Sequence, residues 1–252
     1  MTKPLATPYP SLKANERIIA ALDVATAAEA REIVTELRGE VGAFKIGSQL
    51  FTSAGPELVR EFTDAGIRIF LDLKFHDIPN TVANAAVEAA RLGVWMLNLH
   101  TLGGSEMMKR AVEEIRNVCE REQITRPMVI GVTILTSSTD AVLAEVGIDR
   151  DIEKQAVRLA RLAAESGLDG VVASAHEAAA IRKSVAAPGF VIVTPGIRGL
   201  SATKDDQRRV KTVTQAIEDG ADFIVIGRPI IKAANRREAV REVVGQAENS
   251  SK

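Results

Sequence analysis

Short apolar runs alternate along the chain with longer segments of helical periodicity. Eight runs, rich in β-branched residues, lie at 17–23, 43–46, 67–73, 94–100, 128–135, 168–173, 190–195 and 222–227. They are nearly continuous in apolar character, as is typical of parallel strands that are covered on both faces. The pattern therefore predicts eight parallel strands that are separated by helices.

The segments between these runs carry helix signals. Thr26 and Glu29 have the spacing of a capping box, and Gly39 can end the helix that they begin. Between the fifth and sixth runs, Gly167 closes a stripe of apolar residues at helical spacing, namely Ile152, Ala156, Leu159 and Ala163. Strands and helices that alternate in this way over about 230 residues favour the α/β class and a single closed (β/α)8 TIM barrel over an open doubly wound sheet.

The chain has 252 residues, a length that suits one large barrel domain. Residues 1–15 contain three prolines and precede the repeating pattern. We expect them to form an N-terminal arm, and we expect residues 16–248 to form the catalytic barrel.

Composition and charge exclude several classes of protein. The 32 basic and 33 acidic residues are interspersed and give a net charge of −1, so no long-range positive field attracts nucleic acid or an anionic membrane. No apolar run has the length of a signal peptide or of a membrane span. Cys119 is the only cysteine, which excludes an intrachain disulfide and argues against a cysteine-ligated metal. We expect a cytoplasmic protein that binds neither nucleic acid nor membrane.

Charged and hydroxyl side chains fall where the predicted strands end, which is where barrel enzymes place their active groups. Residues two apart on a strand share a face, so Asp72 and Lys74 are expected to point the same way, with Lys45 beside them on the neighbouring strand. Charged residues within apolar strands are costly unless they are used. The alternative is a solvated strand end with a surface salt bridge. The remaining polar residues at strand ends are Asp23, Thr136 and Ser137.

A second cluster follows the seventh and eighth runs, in VTPGIRG and FIVIGRPI. In barrels, the loops after strands seven and eight often bind phosphate, because glycines let backbone N–H groups approach and arginine adds charge-assisted hydrogen bonds. The residues concerned are Pro195, Gly196, Arg198, Gly227 and Arg228. The alternative is that the glycines serve turns and the arginines serve solubility. The pattern favours a phosphate ester as the substrate.

The run DLKFHDIPNTV, with ALDV, FKIG, TILTS, TPGIR, DDQRR and VIGRPI in this order, resembles the orotidine 5′-phosphate decarboxylase family. The resemblance extends from about Ile18 to Ile231. The D-x-K-x-x-D spacing is shared with sugar-phosphate relatives of that family, whereas DIPNT and a glutamine after TPGIR are more specific to the decarboxylase. Gly199 and Leu200 differ from the family, where a proline is common after the arginine.

The resemblance implies decarboxylation of orotidine 5′-phosphate to uridine 5′-phosphate, the last step of UMP synthesis. Lys74 would donate the proton, Asp72 would face the leaving carboxylate, and Lys45 would complete the charged array and contact ribose. A lysine next to the reacting carbon can stabilise a carbanion electrostatically and then protonate it. No metal or organic cofactor is required for that reaction.

The resemblance also implies a homodimer with shared active sites. Asp77 would reach across the interface into the partner's site, with Ile78 and Thr81 beside it. The other implied contacts are with substrate: Asp23 with ribose hydroxyls, Thr136 with the ribose and nucleotide, Ser137 near the pyrimidine amide, Gln207, Gly227 and Arg228 with phosphate, and Pro195 and Arg198 in the loop over it.

Other functions remain open from the residues alone. A related sugar-phosphate enzyme could use Mg²⁺ to stabilise an enediolate, although DIPNT and Gln207 argue against it. An aldolase could form a Schiff base through Lys45 or Lys74, and a silent barrel could only bind nucleotides. The three histidines have no metal-ligand spacing.

Overall fold

The computed structural model describes residues 12–148, 151–197 and 211–249. Eight parallel strands close into a barrel in chain order, which confirms the predicted fold. The strands are β1 Ile18–Ala21, β2 Ala43–Gly47, β3 Ile69–Phe75, β4 Met96–His100, β5 Met128–Val132, β6 Gly170–Val172, β7 Val191–Pro195 and β8 Phe223–Ile226. Most of the predicted N-terminal arm lies outside the described residues, so its boundary stays a prediction.

Helices connect the strands and form the outer layer of the barrel. They are α1 Ala27–Leu37, α2 Ser48–Asp64, α3 Pro79–Arg91, α4 Gly104–Glu122, α5 Asp140–Glu145, α6 Ile152–Glu165, α7 Ala178–Ser184, α8 Val213–Glu218, α9 Arg228–Ile231 and α10 Arg236–Asn249. Short 3-10 turns precede β1 at Ala14–Arg17 and follow β4 at Thr101–Gly103. None of these helices is long and apolar enough to cross a membrane.

The helix signals in the sequence correspond to real helix ends and faces. Thr26 Oγ1 accepts the backbone N–H of Glu29, and the Glu29 carboxylate accepts the backbone N–H of Thr26, so the predicted capping box begins α1. In α6, the predicted stripe faces inward, with Ala156, Leu159 and Ala163 buried. Amphipathic periodicity of this kind packs each helix onto the barrel.

Apolar side chains fill the barrel in two shells. The inner shell lies inside the strands and is built from inward-facing residues of almost every strand, including Ile19, Ala43, Phe70, Ile130 and Val193. A larger outer shell lies between the strands and the helices. Burying a large apolar side chain such as that of Ile19 or Phe70 contributes roughly 1.5–3 kcal/mol, so the two shells together stabilise the barrel that positions the site.

A buried ion pair lies at the amino end of the barrel, opposite the predicted site. Arg182 lies 2.6 Å from the Asp222 carboxylate and also donates to the carbonyl oxygens of Phe190 and Gly220. The same carboxylate accepts the backbone N–H of Ile192 at 2.8 Å. Burial raises the pKa of Asp222, although the Arg182 charge opposes the shift. The pair ties the entries of β7 and β8 together.

Candidate active site

Four charged side chains meet at the carboxyl ends of the first three strands. Asp72 lies between two ammonium groups: Lys74 Nζ is 2.6 Å from Asp72 Oδ1, and Lys45 Nζ is 3.2 Å from Asp72 Oδ2. Lys45 Nζ also lies 3.3 Å from Asp23 Oδ1, which extends the chain of charges to β1. The predicted convergence of these groups at the barrel mouth is thus present as one continuous network.

The network has a buried part and an open part. The side chains of Lys45 and Asp72 are 11% and 12% exposed, whereas those of Lys74 and Asp23 are 37% and 54% exposed. Mutual pairing offsets the cost of removing the inner charges from water. The arrangement therefore anchors Asp72 and Lys45 in the barrel and presents Lys74 and Asp23 at its mouth.

The backbone of Lys74 departs from the regular strand that the sequence predicted. Its φ is +53°, in the left-handed region that residues other than glycine rarely occupy. The pairing register of β3 with β4 also shifts between Leu71 and Phe75. Asp72 and Lys74 meet as expected. They do so through a local irregularity of β3, however, and the alternation of side chains on a flat strand does not explain their contact.

Asn98 belongs to the site and was missed by the sequence analysis. It lies in the middle of β4, is fully buried, donates from Nδ2 to Asp72 Oδ1 at 2.7 Å and accepts the Lys74 backbone N–H on Oδ1 at 2.8 Å. The signal that could have revealed it is an asparagine inside the apolar strand MLNLH.

His100 ends β4 next to the charged network. Burial lowers the pKa of its imidazole, and electrostatic interaction with His76 and Lys74 lowers it further. The rings of His76 and His100 have centroids 5.3 Å apart. These residues line the mouth, and within the described ranges no group of histidine, cysteine and carboxylate side chains has the arrangement of a metal site.

The residues that were predicted to reach a partner lie together at the start of α3. Asp77 Oδ1 accepts the backbone N–H of Ile78 at 2.7 Å, and Pro79 begins the helix. Asp77, Ile78 and Thr81 are all exposed, and Ile78 keeps 67% of its surface in solvent. Neither lysine of the network forms an ion pair with Asp77 in the described chain. Asp77 is thus accessible to solvent just before α3.

Three other residues that were predicted to contact substrate lie at the carboxyl ends of β5 and β7. Thr136 and Ser137 are exposed in the turn after β5, where the Ser138 N–H donates to the Leu135 carbonyl oxygen. Pro195 ends β7 and is paired with Val225 of β8. These positions follow or end β5 and β7, so they lie at the same end of the barrel as the charged network.

The described part of the predicted phosphate region lies after β7 and β8. Gly196 has a φ of +80°, Gly227 packs against Asp23, and Arg228 is exposed at the first residue of α9. Arg198 and Gln207 lie outside the described residues, as do Gly199 and Leu200. Adjacent β7 and β8 thus bring Gly196 and Gly227 to the same end of the barrel.

This geometry places the chain among (β/α)8-barrel enzymes with a lysine and aspartate array at the barrel mouth. Residues 16–243 match the family model described as "Orotidine 5'-phosphate decarboxylase / HUMPS family", and the chain belongs to that family. An orotidine 5′-phosphate decarboxylase of Syntrophotalea carbinolica is 50% identical over 92% of this chain and 95% of its own length. One of Pelobacter propionicus is 50% identical over 93% and 96%.

Solved structures show the same fold. The orotidine 5′-phosphate decarboxylase of Lactobacillus acidophilus superposes with a TM-score of 0.80 at 34% identity, covering 91% of this chain and 98% of that one. The decarboxylase of Pyrococcus horikoshii OT3 superposes with a TM-score of 0.73 at 24% identity, covering 92% and 99%, which is a likeness of fold. The family that DLKFHDIPNTV and its companion motifs predicted is confirmed.

Proposed function

We propose that this protein decarboxylates orotidine 5′-phosphate to uridine 5′-phosphate and CO2, the last step of UMP synthesis. The observation that carries the proposal is the Asp72 carboxylate held between Lys45 and Lys74, with Lys74 in the open part of the mouth. Relatives that are 50% identical over more than nine tenths of the chain bear the name of this reaction.

The positive charge of Lys74 can stabilise the carbanion that forms at carbon 6 of the pyrimidine. When the bond between carbon 6 and the carboxylate breaks, its electron pair stays in an in-plane orbital that the pyrimidine ring cannot delocalise. The Lys74 ammonium stabilises this developing negative charge and then donates a proton to carbon 6. CO2 leaves, and the neutral lysine recovers its proton from water.

Asp72 and Lys45 prepare the site for that step. Contacts with Lys45, Lys74 and Asn98 hold the Asp72 carboxylate in place. A substrate carboxylate bound next to it is therefore repelled by its negative charge. Loss of CO2 removes this repulsion, which favours the transition state over the bound substrate. Lys45 holds Asp72 and Asp23, and we assign Lys45 and Asp23 to the ribose.

Substrate binding away from carbon 6 contributes to the rate. We assign the phosphate to the loops after β7 and β8, with Pro195, Arg198, Gln207, Gly227 and Arg228 around it. We place Thr136 and Ser137 at the ribose and the pyrimidine. Binding energy from a distant phosphate can offset the cost of bringing the substrate carboxylate next to Asp72.

The active form that we propose is a homodimer in which Asp77 of the partner subunit completes each site, beside Ile78 and Thr81. The exposure of Ile78 next to Asp77 supports this proposal, because a large apolar side chain at a rim gains stability when a partner covers it. We also propose a cytoplasmic location, which a chain with one cysteine suits.

The nearest rival is an Mg²⁺-dependent reaction of a sugar phosphate, and one assay separates the two. Purified protein in excess EDTA is mixed with orotidine 5′-phosphate, while substrate absorbance and the appearance of uridine 5′-phosphate are followed. We expect undiminished turnover. Lys74→Ala protein purified in parallel controls for contaminating enzyme from the host. Turnover that stops in EDTA and returns with Mg²⁺ would contradict the proposal.

A Schiff-base aldolase is tested separately, by borohydride treatment in the presence of a carbonyl substrate such as dihydroxyacetone phosphate. We expect no increase in the protein's mass, because the proposed reaction passes through no imine. A stable adduct on Lys45 or Lys74 would favour the aldolase instead.

A further inference from the structure

We propose that Asn98 is a positioning residue of this active site, which holds the Asp72 carboxylate and the Lys74 backbone in place through one side-chain amide. This inference rests on the proposed function, because it concerns how Lys74, the proposed proton donor, is positioned. Asn98 acts through these two residues, and we do not assign it a contact with the substrate.

The orientation of the Asn98 amide is determined by its partners. The Lys74 backbone N–H can only donate, so the amide oxygen must face it, and the Asp72 carboxylate accepts, so the amide nitrogen faces that side. The side chain is fully buried on β4, with aliphatic neighbours along the strand. A buried amide whose two ends are both used in this way has one stable orientation.

The bond to Lys74 stabilises a backbone conformation that lysine disfavours. Lys74 has a φ of +53°, at the position where the register between β3 and β4 shifts. Its N–H donates to Asn98 Oδ1 where a regular ladder would offer a β4 carbonyl oxygen. The direction of a side chain depends on its backbone conformation, so this hydrogen bond helps to determine the direction in which the Lys74 side chain extends towards the barrel mouth.

The bond to Asp72 restricts the other end of the pair. Asp72 Oδ1 accepts from both Asn98 Nδ2 and Lys74 Nζ, while Oδ2 faces Lys45. Without the amide, the carboxylate can rotate between the two lysines and carry the Lys74 ammonium with it. Catalytic groups need to be held within a fraction of an ångström of their productive positions. Asn98 therefore contributes to rate more than to substrate affinity.

The first test compares Asn98→Ala with the parent. We expect kcat to fall about 10- to 100-fold, as is usual for the loss of hydrogen bonds to charged groups, with KM and uridine 5′-phosphate affinity within about threefold. Thr194→Val is the matched control. Thr194 is buried on β7, its hydroxyl has no hydrogen-bond partner among the described residues, and we expect parental kcat. Thermal melting reports whether each variant is folded.

The second test is the pH dependence of Asn98→Asp. The new carboxyl keeps an acceptor for the Lys74 N–H, but when ionised it repels the Asp72 carboxylate, and when protonated it can donate as the amide did. We expect kcat relative to the parent at the same pH to rise by at least about threefold as pH falls from about 8 to about 6. The charged and titratable groups around this position are Asp23, Lys45, Asp72, Lys74, His76 and His100.

Burial lowers the pKa of His100, and comparison with the parent at each pH removes the titration of this and every other group that both proteins share. A pH-independent ratio for Asn98→Asp would overturn the inference, as would Asn98→Ala with kcat within about twofold of the parent. If Asn98→Ala fails to fold, Asn98→Asp and Asn98→Ser carry the same test. A parent that does not decarboxylate orotidine 5′-phosphate would instead contradict the proposed function.

Discussion

Gly227 lies so close to Asp23 that a side chain at this position would displace the carboxylate. A β-carbon built on Gly227 would come within 2.8 Å of Asp23 Oδ2 and 3.5 Å of the Ala21 β-carbon. The end of β8 is therefore packed directly against Asp23, two residues after the end of β1. A glycine that the sequence suggested for phosphate binding also preserves the position of a carboxylate that we assign to ribose.

Gly227→Ala should weaken substrate binding more than it slows chemistry. The added methyl group forces Asp23 away from its position 3.3 Å from Lys45 Nζ, while the contact of Lys74 with Asp72 is on the other side of Lys45. We expect KM to rise about 10-fold, the equivalent of one hydrogen bond to a charged group, with a smaller change in kcat. Steady-state kinetics with orotidine 5′-phosphate measure both.

Gly245→Ala is the control for that substitution. Gly245 lies in α10, and a β-carbon there has no neighbour within 4 Å. Alanine is a better helix former than glycine, so we expect kinetics like the parent's and a free energy of unfolding higher by about 0.5–1 kcal/mol. If both glycine variants raised KM equally, the crowding at Asp23 could not be the cause.

Lys74→Ala should remove turnover and retain binding of the product nucleotide. The variant loses the proton donor and the positive charge next to carbon 6, and we expect kcat to fall by about 1,000-fold or more. The groups that we assign to ribose and phosphate remain, so calorimetric titration should give an affinity for uridine 5′-phosphate close to the parent's. Substantial remaining turnover would remove Lys74 from its proposed role.

Much of this fold and site could be predicted from the sequence because strong local signals agree with the final structure. The β-branched runs became the eight strands, and the capping box at Thr26 and Glu29 begins α1. Lys45 and Asp72 were recognisable because a charge inside an apolar strand is costly unless it is paired. The barrel then brings residues far apart in sequence to one end.

What could not be predicted depends on contacts between strands. The left-handed backbone of Lys74 arises from the register shift between β3 and β4, and a local pattern carries no information about that register. Asn98 bonds to residues 24 and 26 positions away, so its function is visible only when the two strands are side by side. The buried pair of Arg182 and Asp222 is separated by 40 positions for the same reason.

Mixing two inactive variants should restore activity if the active sites are shared. Lys74→Ala lacks the proton donor, and Asp77→Ala lacks the group that we propose to act in the partner's site. In a hybrid dimer, one of the two sites receives both residues intact, so we expect up to about half of the parental activity per hybrid. Subunit exchange is confirmed by mass spectrometry of differently tagged chains. Hybrids without activity would contradict a role for Asp77 in trans.

Arg182→Met should destabilise the fold without affecting the chemistry, since Arg182 lies at the end of the barrel opposite Lys74. The variant deprives the fully buried Asp222 carboxylate of its guanidinium partner and leaves the carbonyl oxygens of Phe190 and Gly220 without these bonds. Removing one partner of a buried pair costs about 3–5 kcal/mol. Arg31→Met is the control, because its pair with Glu61 is half exposed and screened by water, so its loss should change stability little.

The cost of Arg182→Met should also depend on pH, in a direction that follows from Asp222. Burial already raises the pKa of Asp222 above its unfolded value, and loss of Arg182 raises it further. Stability from a carboxyl with a raised pKa is fully present below the unfolded pKa and is lost as pH rises through the folded one. We therefore expect a smaller deficit at about pH 5 than at about pH 8 in urea unfolding. The Arg31→Met control should behave differently. Arg31 lowers the pKa of Glu61, so the stability that this pair contributes is lost only below about pH 5. We therefore expect the stability deficit of Arg31→Met to be the same at about pH 5 and about pH 8.

Equal deficits for Arg182→Met at both pH values would mean that the Asp222 carboxylate does not titrate between them.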